Sequence, residues 1–179
     1  MSTGSCDATP SSHRHVMAFH AITLLILVLG TGFIYLKVSQ HLFVYDTLGY
    51  VWENPYLREF NWENFQWLLF NSYRESWQPL TWVSHALDFA LFGEWAGGHH
   101  LVNVGWHLLL CMLLYQLLLR LCSLAGQATR PSCWIAGFTS LIFAFHPLHV
   151  ESVAMVYERR DMLYCIFLVL SFGQYLNYR

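Results

Sequence analysis

Two long apolar runs decide what this chain can fold into. Residues 16–36 and 99–121 carry almost no charge, over roughly the 20 residues that an α-helix needs to cross the hydrocarbon core of a bilayer. Backbone polar groups inside a bilayer must be satisfied within the segment, so runs of this kind form helices. The sequence therefore predicts an integral membrane protein built from transmembrane α-helices.

The composition supports this class. Hydrophobic residues make up 56% of the 179 residues and charged residues only 11%, whereas a soluble domain carries about 25% charge. A formal net charge of -2 excludes a strongly basic protein that binds nucleic acid. The five cysteines show neither a CxxC pair nor a zinc-ligand spacing, so we expect no disulfide framework.

The apolar pattern predicts an all-α polytopic protein with about four transmembrane helices, at residues 16–36, 99–121, 133–147 and 162–178. Residues 1–15 are expected to be a disordered cytoplasmic N-terminus, residues 37–98 the first external loop and residues 148–161 a second external segment. The third span is short, with about 13 apolar residues before His146, and Pro147 favours a kink or break there. Arg120 and Arg130 fit the cytoplasmic side.

The first external loop is rich in tryptophan and tyrosine. These rings prefer the headgroup region of a bilayer, so we expect amphipathic helices that lie on the membrane surface. Asn61 is a candidate N-cap for a helix over residues 62–71. A second helix, Leu80 to Phe92, is expected to follow Pro79 and to end at Gly93.

A charged stretch at residues 145–161 lies between the last two apolar runs. Charges near hydrocarbon are expensive, at about 2.5–3.5 kcal/mol each in the centre of a bilayer, and this favours a functional interpretation. Arg159 and Arg160 fall on the non-cytoplasmic side, although Lys and Arg are usually enriched in cytoplasmic loops. Binding of a phosphate is one reason for that exception. The alternative is that the arginines snorkel to headgroups and pair with the carboxylates.

Three polar residues share one face at the start of the second long run. His100, Asn103 and His107 are spaced i, i+3 and i+7, which places them on the same side of a helix. That face is expected to line a polar site. Hydrogen bonding between helices of the bundle is the alternative interpretation.

Several motifs in order resemble one family of membrane enzymes. The chain is similar to the GT-C membrane glycosyltransferases that carry tetratricopeptide repeats, the transmembrane and tetratricopeptide-repeat O-mannosyltransferases. The resemblance covers about residues 20–178, and it is carried by Phe43-Val44-Tyr45-Asp46, Glu53-Asn54-Pro55, Pro79-Leu80-Thr81-Trp82, Ser84-His85, Leu87-Asp88, Leu91-Phe92-Gly93, Gly98-His99-His100, His146 to Ala154 and Glu158-Arg159-Arg160-Asp161.

This resemblance implies transfer of mannose from a polyprenyl-phosphate carrier to a protein Ser/Thr hydroxyl, on the periplasmic face of a bacterial inner membrane or the lumenal face of the endoplasmic reticulum. Membrane lipid, the polyprenyl-phosphate sugar and an acceptor protein are the expected partners. No cofactor is expected, and a divalent metal requirement stays open. Asp46 is the expected catalytic base. Expected donor- or acceptor-binding residues are Glu53, His85, Asp88, His100, Asn103, His107, His146, His149, Glu151, Glu158, Arg159, Arg160 and Asp161.

The sequence departs from the family pattern at two positions. Thr47 follows Asp46 where many relatives have a second aspartate, which weakens any interpretation in which paired carboxylates hold a metal. Gln78 stands where many relatives have a histidine. About four spans and no tetratricopeptide period lead us to expect that the sequence is the N-terminal part of a longer chain.

Two other classes of function remain at this stage. A metal-dependent membrane hydrolase could use His146, His149 and Glu151 as ligands, although their spacing is not His-Glu-x-x-His and Pro147 disturbs the helix. A non-catalytic membrane scaffold would use the polar residues only for packing between helices.

Overall fold

The computed structural model describes residues 10–178, and this part of the chain is all-helical. Short turns of 3-10 or π-type helix connect the longer elements. The α-helices are α1 (Pro10–Tyr35), α2 (Trp62–Phe70), α3 (Pro79–Phe92), α4 (Ala96–Leu124), α5 (Thr129–Phe145), α6 (Val150–Ala154) and α7 (Arg159–Tyr178).

Two helices are long and apolar enough to cross a membrane. One is α1 with its extension to Gln40, and the other is α4; their apolar windows have mean hydropathies of 2.1 and 1.8. A third candidate combines α5 with the segment Pro147–Ala154, which is bent from it by 51°. These helices confirm the prediction of a membrane protein. In the described residues α7 is not a candidate by the same criteria, so the four-span topology stays a prediction.

Two helix starts differ from the prediction. α1 begins at Pro10, so residues 10–15 are helical rather than part of a disordered terminus, while residues 1–9 lie outside the described range. α5 begins at Thr129 and has 17 residues. The short third span is thus extended at its N-terminal end and not at its C-terminal end. Pro131 fits there, because the first turn of a helix has no partner for its N–H groups.

The break after α5 follows from Pro147, as predicted. Proline cannot donate a backbone hydrogen bond and restricts the residue before it to extended conformations, and His146 has φ -69° and ψ 130°. The Nδ1 atom of His146 accepts a hydrogen bond of 3.2 Å from Leu148 N–H. The chain therefore leaves α5 at His146 and changes direction before α6.

Residues 37–98, the predicted first external loop, fold around an aromatic core. As predicted, Asn61 caps α2 by accepting from Asn64 N–H at 2.8 Å, and Gly93 with φ +56° follows α3. α3 begins at Pro79, one residue before the predicted start at Leu80. The core of this region consists of Phe43, Val51, Leu57, Leu68, Trp82, Ala86, Phe89, Ala96, Val156 and Tyr157. Many of the rings expected at the membrane surface thus pack against one another, and placement of α2 and α3 at the interface stays a prediction.

α4 is the central helix and packs against α1, α5 and α7. The chain segments before α4 and after α5 meet at one end of the bundle, and we call residues 36–103 and 146–161 the loop end. The region around His20, Tyr115 and Cys133 is called the opposite end. All of the predicted site residues except His107 belong to the loop end.

Candidate functional site

The segment that carries Asp46 and the turn that precedes α7 contact each other directly. The N–H of Tyr157 donates to Thr47 Oγ1 at 3.3 Å. The rings of Tyr50 and Tyr157 are stacked, with centroids 4.5 Å apart. We refer to residues 41–53 as the Asp46 segment and to residues 155–159 as the Tyr157 turn. Their contact places the segment that carries Asp46 against the turn that precedes Arg160.

Asp46 is exposed and begins a short helical stretch. Tyr45, directly before it, has φ +50°, a left-handed conformation that is uncommon for bulky residues. Strain of this kind costs about 1–3 kcal/mol and persists only where the surrounding structure enforces it, often at functional sites. Thr47, directly after Asp46, is buried and bonded to Tyr157, so Asp46 is exposed next to a fixed residue.

Arg160 is the open arginine of the predicted pair, with 40% of its side chain exposed. Its Nη1 donates to the Tyr157 hydroxyl at 2.9 Å, and its guanidinium carbon lies 4.6 Å from the centre of that ring. Glu158 lies 3.2 Å from it and Asp161 3.7 Å. Burial raises the pKa of Glu158, while Arg160 lowers it. The exposed guanidinium is thus oriented by the Tyr157 turn and retains access to solvent.

Arg159 differs from its neighbour, because it is completely buried. It forms an ion pair of 2.5 Å with Asp88. It also donates hydrogen bonds to Asn103 Oδ1 at 2.7 Å, Ser84 Oγ at 2.8 Å and the carbonyl of His99 at 3.1 Å. The sequence interpretation of Arg159 as an open phosphate ligand therefore needs correction, since this guanidinium joins α3, α4 and α7. Asp88 is likewise enclosed.

His85 lies beside this ion pair and is also completely buried. Burial lowers the pKa of His85 well below its ordinary value, and the nearby charge of Arg159 and the neighbouring His99 lower it further. Burial and the nearby guanidinium thus favour the neutral form of the ring. Its enclosure gives it no direct access to a substrate in this structure.

The side chains of His100, Asn103 and His107, predicted to share one face of α4, have different neighbours in the structure. His100 lies near His41 and Phe43, with ring centroids at 6.3 and 6.1 Å. Asn103 contacts Arg159 and the carbonyl of Met155. His107 donates from Nε2 to the carbonyl of Ala144 at 3.0 Å. For Asn103 and His107 the structure favours the alternative interpretation, hydrogen bonding between helices.

Of the two histidines after α5, His149 lines a small pocket. His146 and Glu151 are exposed, whereas His149 packs on Phe143 with centroids 4.2 Å apart and lies 5.8 Å from His107. A pocket of about 100 Å³ opens between His107, Phe143, His149, Ser152, Asp161 and Met162. Within residues 10–178, no three His, Cys, Asp or Glu side chains form a group that could hold a metal ion, and His146, His149 and Glu151 are thus not gathered into one cluster in this structure.

Glu53 lies at the other margin of the Asp46 segment. Its carboxylate pairs with Arg74 at 2.8 Å, and both side chains are about half exposed. The pair leaves the carboxylate accessible. A role in substrate binding therefore stays a prediction for Glu53.

Three residues that connect the site were not on the predicted list. Thr47 and Tyr157 bond to each other, and Ser84 bonds to Arg159, in each case across a long distance in the sequence. No local signal marks such contacts, because they depend on how the Asp46 segment and α3 pack against the start of α7. Only the three-dimensional structure shows these contacts.

Taken together, the fold and site define a helical membrane protein with an exposed carboxylate and an exposed arginine at one end. The chain is 30% identical over 162 residues to Protein O-mannosyl-transferase Tmtc2 of Drosophila melanogaster, which covers 88% of this chain and 16% of that protein. It is 28% identical over 181 residues to Protein O-mannosyl-transferase TMTC1 of Homo sapiens. That alignment covers 96% of this chain and 20% of the human protein.

A third relative, Protein O-mannosyl-transferase Tmtc3 of Drosophila melanogaster, is 29% identical over 94% of this chain and 20% of its own length. The chain is thus a homologue of the TMTC protein O-mannosyl-transferases, and it spans about a fifth of the length of these relatives. No family profile and no solved structure matches it. The resemblance predicted from the motifs is confirmed.

Proposed function

We propose that this chain forms the donor-site part of a GT-C glycosyltransferase that moves mannose from a polyprenyl-phosphate carrier to a protein Ser/Thr hydroxyl. One observation carries the proposal: the Asp46 segment and the Tyr157 turn are joined by the hydrogen bond from Tyr157 to Thr47 and by the stack of Tyr50 on Tyr157. A carboxylate and an accessible guanidinium thereby belong to one site. The homology to protein O-mannosyl-transferases supports the choice of sugar and acceptor.

In the proposed reaction Asp46 is the general base. Its carboxylate takes the proton of the acceptor hydroxyl while the hydroxyl oxygen attacks the anomeric carbon of the sugar. A new carbon–oxygen bond forms there as the bond to the phosphate oxygen breaks, and the carrier leaves as polyprenyl phosphate. The exposure of Asp46 supports this role, because an acceptor protein must reach the carboxylate.

Arg160 is proposed to stabilise the phosphate as it leaves. A guanidinium forms strong charge-assisted hydrogen bonds with phosphate oxygens, and stabilisation of developing charge is the largest contribution in many enzymes. The contacts with Glu158 and Tyr157 orient Arg160 without enclosing it. Asp161 and the half-buried His149 line the neighbouring pocket, and we assign them, with His146 and Glu151, to orientation of the carrier or the acceptor. Glu53 is assigned to the acceptor side.

The proposal includes a topology. Residues 16–179 form part of a GT-C transmembrane domain with four spans, the N-terminus lies in the cytoplasm, and the loop end faces the lumen of the endoplasmic reticulum or the periplasm. The relatives come from animals, which favours the endoplasmic reticulum. Exposed rings such as Trp62, Trp77 and Trp95 support contact of the first external loop with headgroups.

The test is transfer of radiolabelled mannose from polyprenyl-phosphate mannose to an acceptor protein, in membranes that contain the longest form of this chain. Asp46→Asn keeps the shape of the side chain but removes the base, and we expect a loss of about 10²–10⁴-fold. Arg160→Ala is expected to raise the KM for the donor and to lower kcat, because the proposed guanidinium contact holds the phosphate in the bound donor and stabilises it as it leaves. Glu59→Gln and Lys37→Ala are matched controls, because both residues are exposed at the loop end and lie outside the proposed site.

The outcomes separate the proposal from its alternative. Transfer that depends on Asp46 and Arg160 but not on the controls supports the enzyme. Transfer that is unchanged in Asp46→Asn contradicts the role of the base. A protein that neither transfers mannose nor binds the carrier is a non-catalytic scaffold.

A further inference from the structure

Asn103 contacts both ends of the Tyr157 turn with one side chain. Its Oδ1 accepts from Arg159 Nε at 2.7 Å, and its Nδ2 donates to the carbonyl of Met155 at 3.0 Å. The side chain is completely buried. Because its amide oxygen and its amide nitrogen are both used, Asn103 fixes the beginning and the end of the turn relative to α4.

Arg159 extends this attachment to α3. Besides Asn103, its guanidinium contacts Ser84 and Asp88 of α3 and the carbonyl of His99 of α4. A guanidinium presents its donors in a rigid planar fork, so several simultaneous acceptors determine its orientation as well as its position. Lysine has no such fork. The end of the Tyr157 turn is therefore held by two helices at once.

The residues held in this way are those of the proposed site. Tyr157 is the central residue of the turn, donates its N–H to Thr47 of the Asp46 segment and accepts from Arg160. Arg160 follows Arg159 directly in the sequence. A shift of the turn relative to α4 would thus move the exposed guanidinium and release the residue beside Asp46.

We infer that Asn103 is a positioning residue, which holds the Tyr157 turn so that Arg160 and the Asp46 segment keep their relative placement. This inference rests on the proposed function and refines it, because Asn103 acts through the turn and does not touch the substrate. Its burial and its two satisfied polar atoms distinguish it from a residue that binds the donor or the acceptor.

The kinetic test combines Asn103→Leu with Arg160→Ala, using polyprenyl-phosphate mannose as the donor. Small misplacements of a positioned group cost up to about 10²-fold, so we expect Asn103→Leu alone to raise the donor KM by about 10-fold or more. In the Arg160→Ala background the same change is expected to leave the donor KM within about twofold, because the guanidinium that it misplaces is absent. Multiplicative effects of the two changes would overturn the inference.

Ser140→Ala provides the control for a change within the bundle. Ser140 is completely buried in α5 and its hydroxyl has no hydrogen-bond partner among the described residues, so its removal is expected to leave the donor KM unchanged. Asn103→Ser replaces Asn103→Leu if the larger change prevents folding. A hydroxyl cannot contact both Arg159 and Met155 at once, and the same direction of effect is expected.

Hydrogen exchange measured by mass spectrometry tests the inference without any activity. In Asn103→Leu we expect faster exchange in residues 43–50 and 155–160 and unchanged exchange in residues 62–70. Faster exchange in 155–160 alone would overturn the inference, because the turn would then not hold the Asp46 segment. If the unmodified protein transfers no mannose, the proposed function fails while the exchange result still decides the role of Asn103.

Discussion

The two ends of the helical bundle use buried polar groups differently. At the loop end, Asp88, Asn103 and Arg159 form a network that joins three helices and continues through the Tyr157 turn to the Asp46 segment. At the opposite end, His20 and the Tyr115 hydroxyl form a half-buried hydrogen bond of 2.6 Å, and Cys133 Sγ lies 3.9 Å from the same histidine. Arg130 at that end is exposed.

This difference shows what the polar groups of the loop end do. The hydrogen bond between His20 and Tyr115 joins α1 and α4, whose packing apolar contacts already determine, so it adds little. The network instead fixes backbone that is not part of a long helix, and this backbone carries Asp46 and Arg160. Binding and catalytic residues often lie on such connecting segments, held by a rigid scaffold. The comparison therefore supports the proposed site at the loop end.

The largest expected effect on stability comes from Arg159→Met. This change leaves the Asp88 carboxylate buried without its cation, and removal of one partner of a buried ion pair costs about 3–5 kcal/mol. The free energy of unfolding, measured in detergent micelles, gives the loss. The double variant Asp88→Leu/Arg159→Met is expected to regain most of the stability, because it leaves no unpaired charge. A single variant as stable as the parent would contradict the importance of the network.

The next prediction concerns the core of the first external loop. Leu57 is completely buried among aromatic side chains, so Leu57→Ala is expected to cost about 2–5 kcal/mol. The matched control is Leu29→Ala in α1, since Leu29 is 62% exposed in this structure, and a change of less than about 0.5 kcal/mol is expected there. Thermal unfolding of the purified variants provides the comparison. Equal losses would mean that the loop has no core of its own.

The third prediction is a dependence of stability on pH at His85. Its pKa in the folded protein is well below the ordinary value because of burial and the neighbouring Arg159, so below about pH 6.5 the unfolded state binds more protons than the folded state. The contribution of the neutral His85 to the free energy of unfolding is therefore fully present above about pH 6.5. It is lost as the pH falls, by up to about 1.4 kcal/mol per pH unit. Unfolding measured between about pH 5.5 and pH 7.5 gives this slope.

A variant isolates the contribution of this histidine. His85→Phe removes the titrating ring but keeps an aromatic side chain in the buried position. We expect a shallower slope of stability against pH in this variant than in the parent. Identical slopes would mean that other groups account for the whole dependence.

The smallest effect is expected at the opposite end. Tyr115→Phe removes the hydroxyl that contacts His20, and hydrogen bonds between transmembrane helices contribute about 0.6 kcal/mol on average. Stability is expected to fall by about that amount, with mannose transfer unchanged. A loss as large as that of Arg159→Met, or a loss of transfer, would remove the difference between the two ends.

Local sequence signals predicted much of the helical framework. Asn61, Pro79, Gly93 and Pro147 act on their immediate neighbours through capping, the missing proline donor or a left-handed backbone, and the structure has the corresponding helix boundaries. The start of α1 at Pro10 was missed, because apolarity decides which residues lie in a membrane but not where the helix itself begins.

The site itself was only partly predictable. Helical spacing identified Asn103, charge near hydrocarbon identified Arg159 and Arg160, and the family resemblance identified Asp88, but none of these signals reveals burial. Two adjacent arginines look alike in a sequence, whereas in the fold Arg159 points among α3, α4 and α7 and Arg160 points outward. The partners that decide this difference are more than 50 residues away along the chain.

The most direct test of the account is a structure, determined by cryo-electron microscopy, of the longest form of this protein with polyprenyl phosphate bound. The account predicts that the phosphate lies against the guanidinium of Arg160 at the loop end, beside the Asp46 segment, while Arg159 keeps its contacts with Asp88 and Asn103. A phosphate bound at the opposite end, near Arg130, or away from both Asp46 and Arg160, would contradict it.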